Sequence, residues 1–221
     1  MIKQLIDEAL IAHGFVSERE LDTTSFYVRE SKSAIRFAVL HLLDDLPDPA
    51  ELNNRINLFA PKAFLRNPSF KKNCDLICIH RLDVLAKFKD HEEEIFAIEE
   101  DPHFYKKYVL YYSIAEESAL TNFTYDKLVS VIADKKAFLE YKENPLAATQ
   151  YSFAAKTFIK LPFLELPSHQ RNLVSLRLQA AEAVAEASLN DMYLTIQKVT
   201  DKNADEIIKE MINNELANIQ D

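Results

Sequence analysis

A single glycine, Gly14, stands among the 221 residues of the chain. Loops that cradle phosphate against bare backbone need two or three glycines close together, because any Cβ would block the approach. The phosphate loop and the dinucleotide-binding turn are therefore excluded, and a Gly-x-Ser-x-Gly nucleophile elbow is impossible. The length still allows one domain or two small ones, and 48% hydrophobic with 28% charged residues is an ordinary globular balance. A net charge of −9 argues against broad, sequence-independent binding to nucleic acid, while leaving room for a local basic patch or a basic protein partner. The apolar runs fall far short of the ~20 residues that span a bilayer. Residues Met1 to Glu8 lack the apolar core of a signal peptide. With two cysteines and no disulfide framework, the sequence reads as soluble and cytosolic, without a membrane partner.

The hydrophobic pattern divides the chain at about residue 113. Ile2, Leu5, Ile6 and Leu10 recur at helical spacing, and Gly14 sits where a C-terminal cap belongs. Ser25 to Arg29 and Ala34 to Leu43 read as two strands of a hairpin, joined through Glu30 to Ser33. Asp48-Pro49 starts a helix with Leu52, Ile56 and Phe59 on its apolar face, and Pro61 and Pro68 bracket a basic segment. Asp75 to Ile79 is apolar on both alternations, as a strand covered on both faces requires. A helix from about Val84 to Glu99 and a fourth strand, Tyr108 to Tyr112, follow. The expected fold is α+β: a small mixed α/β unit of about four strands over 1–113, then an all-helical region over 114–221.

In the helical region, Ser113 with Glu116 forms a capping box. Thr124 is expected to cap one helix carrying Leu128 to Leu139, and Asn144-Pro145 to begin another. Ser168 is expected to open a long helix to about Val199, and Asn203 with Glu206 a final amphipathic one. The long helix is apolar nearly all round, with Leu173, Leu176 and Val184 on one face and many alanines that permit close approach. Such a helix belongs either at the centre of a bundle or in a protein interface.

Several patterns suggest chemistry, each beside a plainer reading. Cys74, Cys78 and His80 share one face of a strand, but no second cysteine pair exists to complete a zinc site, and small core residues explain the cysteines. His91-Glu92 begins like a metalloprotease helix, but Ile95 stands where the second histidine is required. Asp22 with Glu30-Ser31-Lys32 imitates the Asp…Glu-x-Lys signature of a metal-dependent nuclease of the restriction-endonuclease type, although solvated charges in a hairpin turn explain it equally. Lys62, Arg66, Lys71 and Lys72 interleave with Phe64, Leu65 and Phe70, either as a solvated loop on aromatic anchors or as a contact for phosphate or an acidic partner. Residues 90–101 carry seven acids and no base, a solvated face or a steering surface.

The run from Glu99 to Leu110, with Asp101-Pro102, Phe104-Tyr105 and Lys106-Lys107, ends an acidic helix with two aromatics, two lysines and an apolar strand. Set after an α/β region and before a helical half, it resembles the middle components of bacterial ABC-ATPase three-component systems, closest to the small accessory subunits of Lamassu-type antiphage defence. That resemblance implies a non-catalytic subunit without a cofactor, beside an SMC-like ABC ATPase that senses DNA and an effector, often a nuclease. DNA would be contacted only through the complex. Glu99, Asp101, Phe104, Tyr105, Lys106 and Lys107 would then join Leu173, Leu176 and Val184 as partner-interface residues. The same twelve residues could instead staple helix to strand within the monomer. Rival functions are the nuclease above and a stand-alone helical binding module.

Overall fold

The structure, a computed structural model, describes residues 1–31, 34–167, 176–187, 189–200 and 203–218. Two compact units emerge, Met1–Pro167 and Ser168–Asp221. The anticipated boundary at 113/114 coincides with the end of the sheet. The helices that follow it, up to residue 160, belong to the first unit because they pack on that sheet.

The first unit opens with α1 (Ile2–Ala12), which buries Leu5, Ile6, Ala9 and Leu10. Gly14 turns the chain at φ +79°, in the left-handed region that glycine enters without a Cβ penalty. Strands β1 (Val16–Glu20), β2 (Thr24–Glu30) and β3 (Ile35–Leu43) form an antiparallel meander. The hairpin of β2 and β3 was legible, but β1 was not. All five of its residues are exposed, and a charged, bulged edge strand carries none of the alternation that marks a half-buried one. The sheet therefore has five strands where four were expected.

Asp48 caps α2 (Pro49–Phe59), its carboxylate accepting from Ala50 N–H, and a short α3 (Lys62–Arg66) occupies the span between Pro61 and Pro68. Strand β4 (Cys74–Leu82) lies parallel to β3, and β5 (Lys106–Ser113) parallel to β4, with α4 (Phe88–Glu100) as the crossover between them. The strand order is β1-β2-β3-β4-β5. One face of the sheet is covered by α2, α3 and α4 around Phe37, Val39, Leu76, Cys78 and Val109. The other face is covered by α1 and later helices around Leu40, Ile77, Ile79 and Leu110. Central β4 thus contributes to both cores, as its uninterrupted apolar run predicted.

Past the sheet come α5 (Ile114–Ala119), α6 (Tyr125–Ile132), α7 (Lys135–Glu143) and α8 (Gln150–Lys160). The Ser113–Glu116 capping box is present. The single helix expected after Thr124 is two, because Asp134 stops the run and caps α7 through the Lys136 and Ala137 N–H groups. The next helix starts later than Asn144-Pro145, since Thr149 and Ser152 cap each other reciprocally.

The second unit shows α9 (Leu176–Glu186), α10 (Asn190–Ile196) and α11 (Ala204–Asn218). The long helix expected to reach Val199 is two among the described residues, α9 ending at Glu186 and α10 beginning at Asn190, where Asn190 and Asp191 are weak helix formers. The expected start at Ser168 lies outside the described residues. No strand follows Ser113 among the described residues, so an α/β part followed by helices is what the chain forms.

Candidate functional site

The acid–lysine segment connects α4 to β5, and its polar side chains are held in a dense network. Asp101 ends α4 in an extended conformation before Pro102, as expected for a residue preceding proline. Its Oδ2 accepts from Lys107 Nζ at 2.9 Å and from Asn53 Nδ2 at 2.9 Å. Its Oδ1 accepts from the His103 backbone N–H and lies 2.9 Å from the His103 ring. Burial works to raise the Asp101 pKa, but the hydrogen bonds from Lys107, His103 and Asn53 prevail and hold the carboxyl well below its usual range.

Lys107 is the opposite charge of that network, and its side chain is 0% exposed. Its ammonium also donates to the His103 carbonyl at 2.6 Å and the Tyr105 carbonyl at 3.2 Å. The lysine thus closes the turn on itself. Tyr105 is buried as well, donating its hydroxyl to Asn57 Oδ1 on α2 and packing against Phe70. Asp101, Tyr105 and Lys107 therefore staple α2, α4 and β5 together inside the monomer. Phe104 and Lys106 point the other way and are exposed.

Glu99 has a different task at the outer edge of the sheet. Its Oε1 accepts from the Val109 backbone N–H at 2.8 Å, and both of its oxygens accept from Lys160 Nζ on α8, at 2.5 and 2.7 Å. A second carboxylate repeats the arrangement one turn further along. Glu116 accepts from the Ser113 N–H, from the Ser152 hydroxyl and from Lys156 Nζ. Burial pulls the Lys156 pKa down against the pull of Glu116. Two carboxylate–lysine pairs thus satisfy strand N–H groups that would otherwise invite another strand. Sequence reading found Glu99 and Glu116 but missed Lys156 and Lys160, which are 40 and 61 residues away from their partners.

The remaining expectations separate cleanly. Leu173 lies outside the described residues, as does the side chain of Leu176, which opens α9. Val184 is half-buried on α9. Cys74 and Cys78 are buried in the core, and burial pushes both thiols up, Cys78 to about 12. His80 is held against the Leu43 carbonyl, and burial lowers its pKa. No group of three His, Cys, Asp or Glu is placed to hold a metal ion among the described residues. The nuclease constellation is not assembled. Asp22 precedes β2 at the end where Thr24 pairs with His41, whereas Glu30 ends that strand opposite Ile35. Eight residues of nearly extended chain, at ~3.3 Å each, separate the two carboxylates; Lys32 lies outside the described residues.

A five-stranded mixed sheet between two helical layers, with an ion network joining α2, α4 and β5 and a helical unit further along the chain, defines an α/β-plus-helix protein. Residues 36–138 match the model of the family described as ABC-three component (ABC-3C) system Middle Component 1. The matched span runs from β3 to α7, includes the whole acid–lysine segment, and is slightly under half of the chain. No curated protein and no solved structure matches the chain.

Proposed function

We propose that this chain is a middle component of an ABC-type three-component system: a non-catalytic accessory subunit that bridges an SMC-like ABC ATPase and an effector. The family match over 36–138 carries the reading, since it covers β3, β4, β5 and the segment that joins them. The Lamassu-type accessory subunit is the subtype its sequence most resembles, which would place it in the cytoplasm in antiphage defence. The mechanism is conformational. The subunit holds an assembly together and passes on a change in its ATPase, without forming covalent bonds itself.

Two surfaces support a bridging role. Phe104 and Lys106 are exposed on the acid–lysine segment, alternating with buried Tyr105 and Lys107. Leu194, Ile196, Ile208 and Ile212, on α10 and α11, are each more than half exposed. Apolar helical residues left uncovered in a chain are suited to a partner helix. Among the described residues no helix is long and apolar enough to cross a membrane. Native mass spectrometry of the chain co-expressed with its genomic neighbours tests the reading. A stable complex with a long ABC-type ATPase is expected, weakened by substitutions at Phe104 or in the Ile208–Ile212 face. A chain that remains solitary beside such an ATPase overturns it.

A further inference from the structure

The two ends of the parallel strands differ in charge. At the end where β3 and β4 finish, Asp44, Asp45, Asp83 and Glu94 surround an open cleft that has Arg81 and Lys87 as its lysine and arginine side chains. At the end where β3, β4 and β5 begin, a cleft of about 230 Å3 is lined by Arg36, Lys72 and Lys106, with Asp75 as its single carboxylate. Asp75 is already committed. Its side chain is 3% exposed, and its Oδ2 accepts from both Nε and Nη2 of Arg36 at 3.0 Å. Lys72 and Lys106 are exposed and make no ion pair among the described residues. A chain of net charge −9 thus keeps an uncompensated pair of lysines around one concavity.

Phe104 is exposed on the loop that leads into β5, two residues before Lys106. Its backbone is in the left-handed region at φ +66°, which aromatic residues rarely adopt, and its ring is 44% exposed. Lys71, next to Lys72 in sequence, sits with Nζ 4.3 Å from the ring centroid. The loops leading into β4 and β5 are fixed beneath by the Phe70–Tyr105 contact, so Phe104 and the lysines are presented on a rigid base.

The ligand is set by the size of the patch. A field screened over about 8 Å at physiological salt reaches a charge inside the cleft and little beyond it. An extended polyanion would carry further negative charges over a chain whose net charge is already −9, whereas a short acidic segment adds few beyond the cleft. We propose that the cleft of Lys72 and Lys106, together with the exposed Phe104 ring two residues before Lys106, docks a short acidic segment of a protein partner: two or three carboxylates beside one aromatic or aliphatic residue.

Fluorescence anisotropy of the full chain with a short dye-labelled peptide of Glu, Asp and Phe tests this, with a single-stranded oligothymidylate of equal charge as competitor. Saturable peptide binding is expected, weakened by about tenfold or more in the Lys72→Glu/Lys106→Glu chain and several-fold by Phe104→Ala. The charge-neutral Lys72→Gln/Lys106→Gln chain should lose binding in part, which covers the case where the double reversal fails to fold. A Lys135→Glu/Lys136→Glu chain, with the same charge change on exposed α7, should bind as the parent does. Oligothymidylate that displaces the peptide at equal charge would assign the cleft to nucleic acid instead. Absence of peptide binding, or equal loss in the α7 control, would overturn the proposal. The assay uses this chain alone, so its result is separate from whether the chain enters an ABC-type complex.

Discussion

In Met1–Pro167, the rings of Phe26, Phe37, Phe70 and Phe153 are enclosed almost completely, as are Leu52, Ile56, Leu76 and Ile77. In Ser168–Asp221, not one side chain described between 180 and 213 is buried, and four leucine and isoleucine side chains are more than half exposed. The two units use similar apolar residues to different ends. In the first, a twisted sheet offers two faces and helices cover both, so burial stabilises the unit at ~25 cal/mol for each Å2 of apolar surface removed from water. In the second, helices α9 to α11 carry their apolar seams without enclosing them, which suits a surface completed by another chain. The units therefore differ in whether their apolar side chains are enclosed: those of the first are covered by its own elements, while those described in the second stay at the surface.

The sharpest way to break that comparison is Asp101→Ala. Lys107 would then be left buried without its carboxylate, and removal of one partner of a buried pair costs about 3–5 kcal/mol. Thermal unfolding followed by near-ultraviolet circular dichroism should show a large drop in midpoint; an unchanged midpoint would mean that the ion network is dispensable to the scaffold.

Acid should act next most strongly, through His41. Burial lowers its pKa from 6.5 to about 4, with Arg55 acting in the same direction. Between those values the unfolded chain binds more protons than the folded one. Stability is therefore full above pH 6.5 and declines as the pH falls toward 4, by on the order of 3 kcal/mol. Urea midpoints measured across that window check it, and a His41→Gln chain should lose much of the slope while keeping the part left by His80, whose pKa is also lowered by burial. A slope of the opposite sign would show that His41 gains a partner on folding.

Smaller effects sharpen the contrast. Gly14→Ala would meet only the Arg29 Cδ at 3.7 Å, so space is not the obstacle. The left-handed φ is, and the substitution should cost about 1 kcal/mol in a denaturant titration. Leu194→Ala in the second unit should change the stability of the isolated chain by less than about 0.5 kcal/mol, as exposed substitutions do. Its effect should appear instead as weaker assembly with an ATPase partner. If Leu194→Ala lowered the melting midpoint as much as Gly14→Ala, the contrast between an enclosed and an open unit would fail.

Local rules carried much of this fold into view before any coordinates. Asp48-Pro49 and Ser113–Glu116 announce helix starts because a side chain and a nearby backbone N–H meet within three residues. The doubly apolar run from Asp75 to Ile79 marks a central strand, because only a strand covered on both faces tolerates it. Where two local signals compete, the sequence is ambiguous: Asp134 could have remained exposed within one helix, but it caps a second. Strand β1 escaped because an exposed edge strand lacks periodic burial to betray it.

The sequence by itself determined the glycine-poor exclusion of phosphate loops, the α/β-then-helix order, and the acid–aromatic–lysine segment as a unit of interest. Tertiary structure alone decided which members of that segment face inward. Asn53 and Asn57 on α2 lie 48 residues from Asp101 and Tyr105, and Lys160 lies 61 residues from Glu99. No local pattern encodes such partners, since a carboxylate's choice of cation depends on which helix the packed sheet brings beside it. That packing buries Lys107 and leaves Lys106, its neighbour in sequence, at the surface, because successive residues of a strand point to opposite faces.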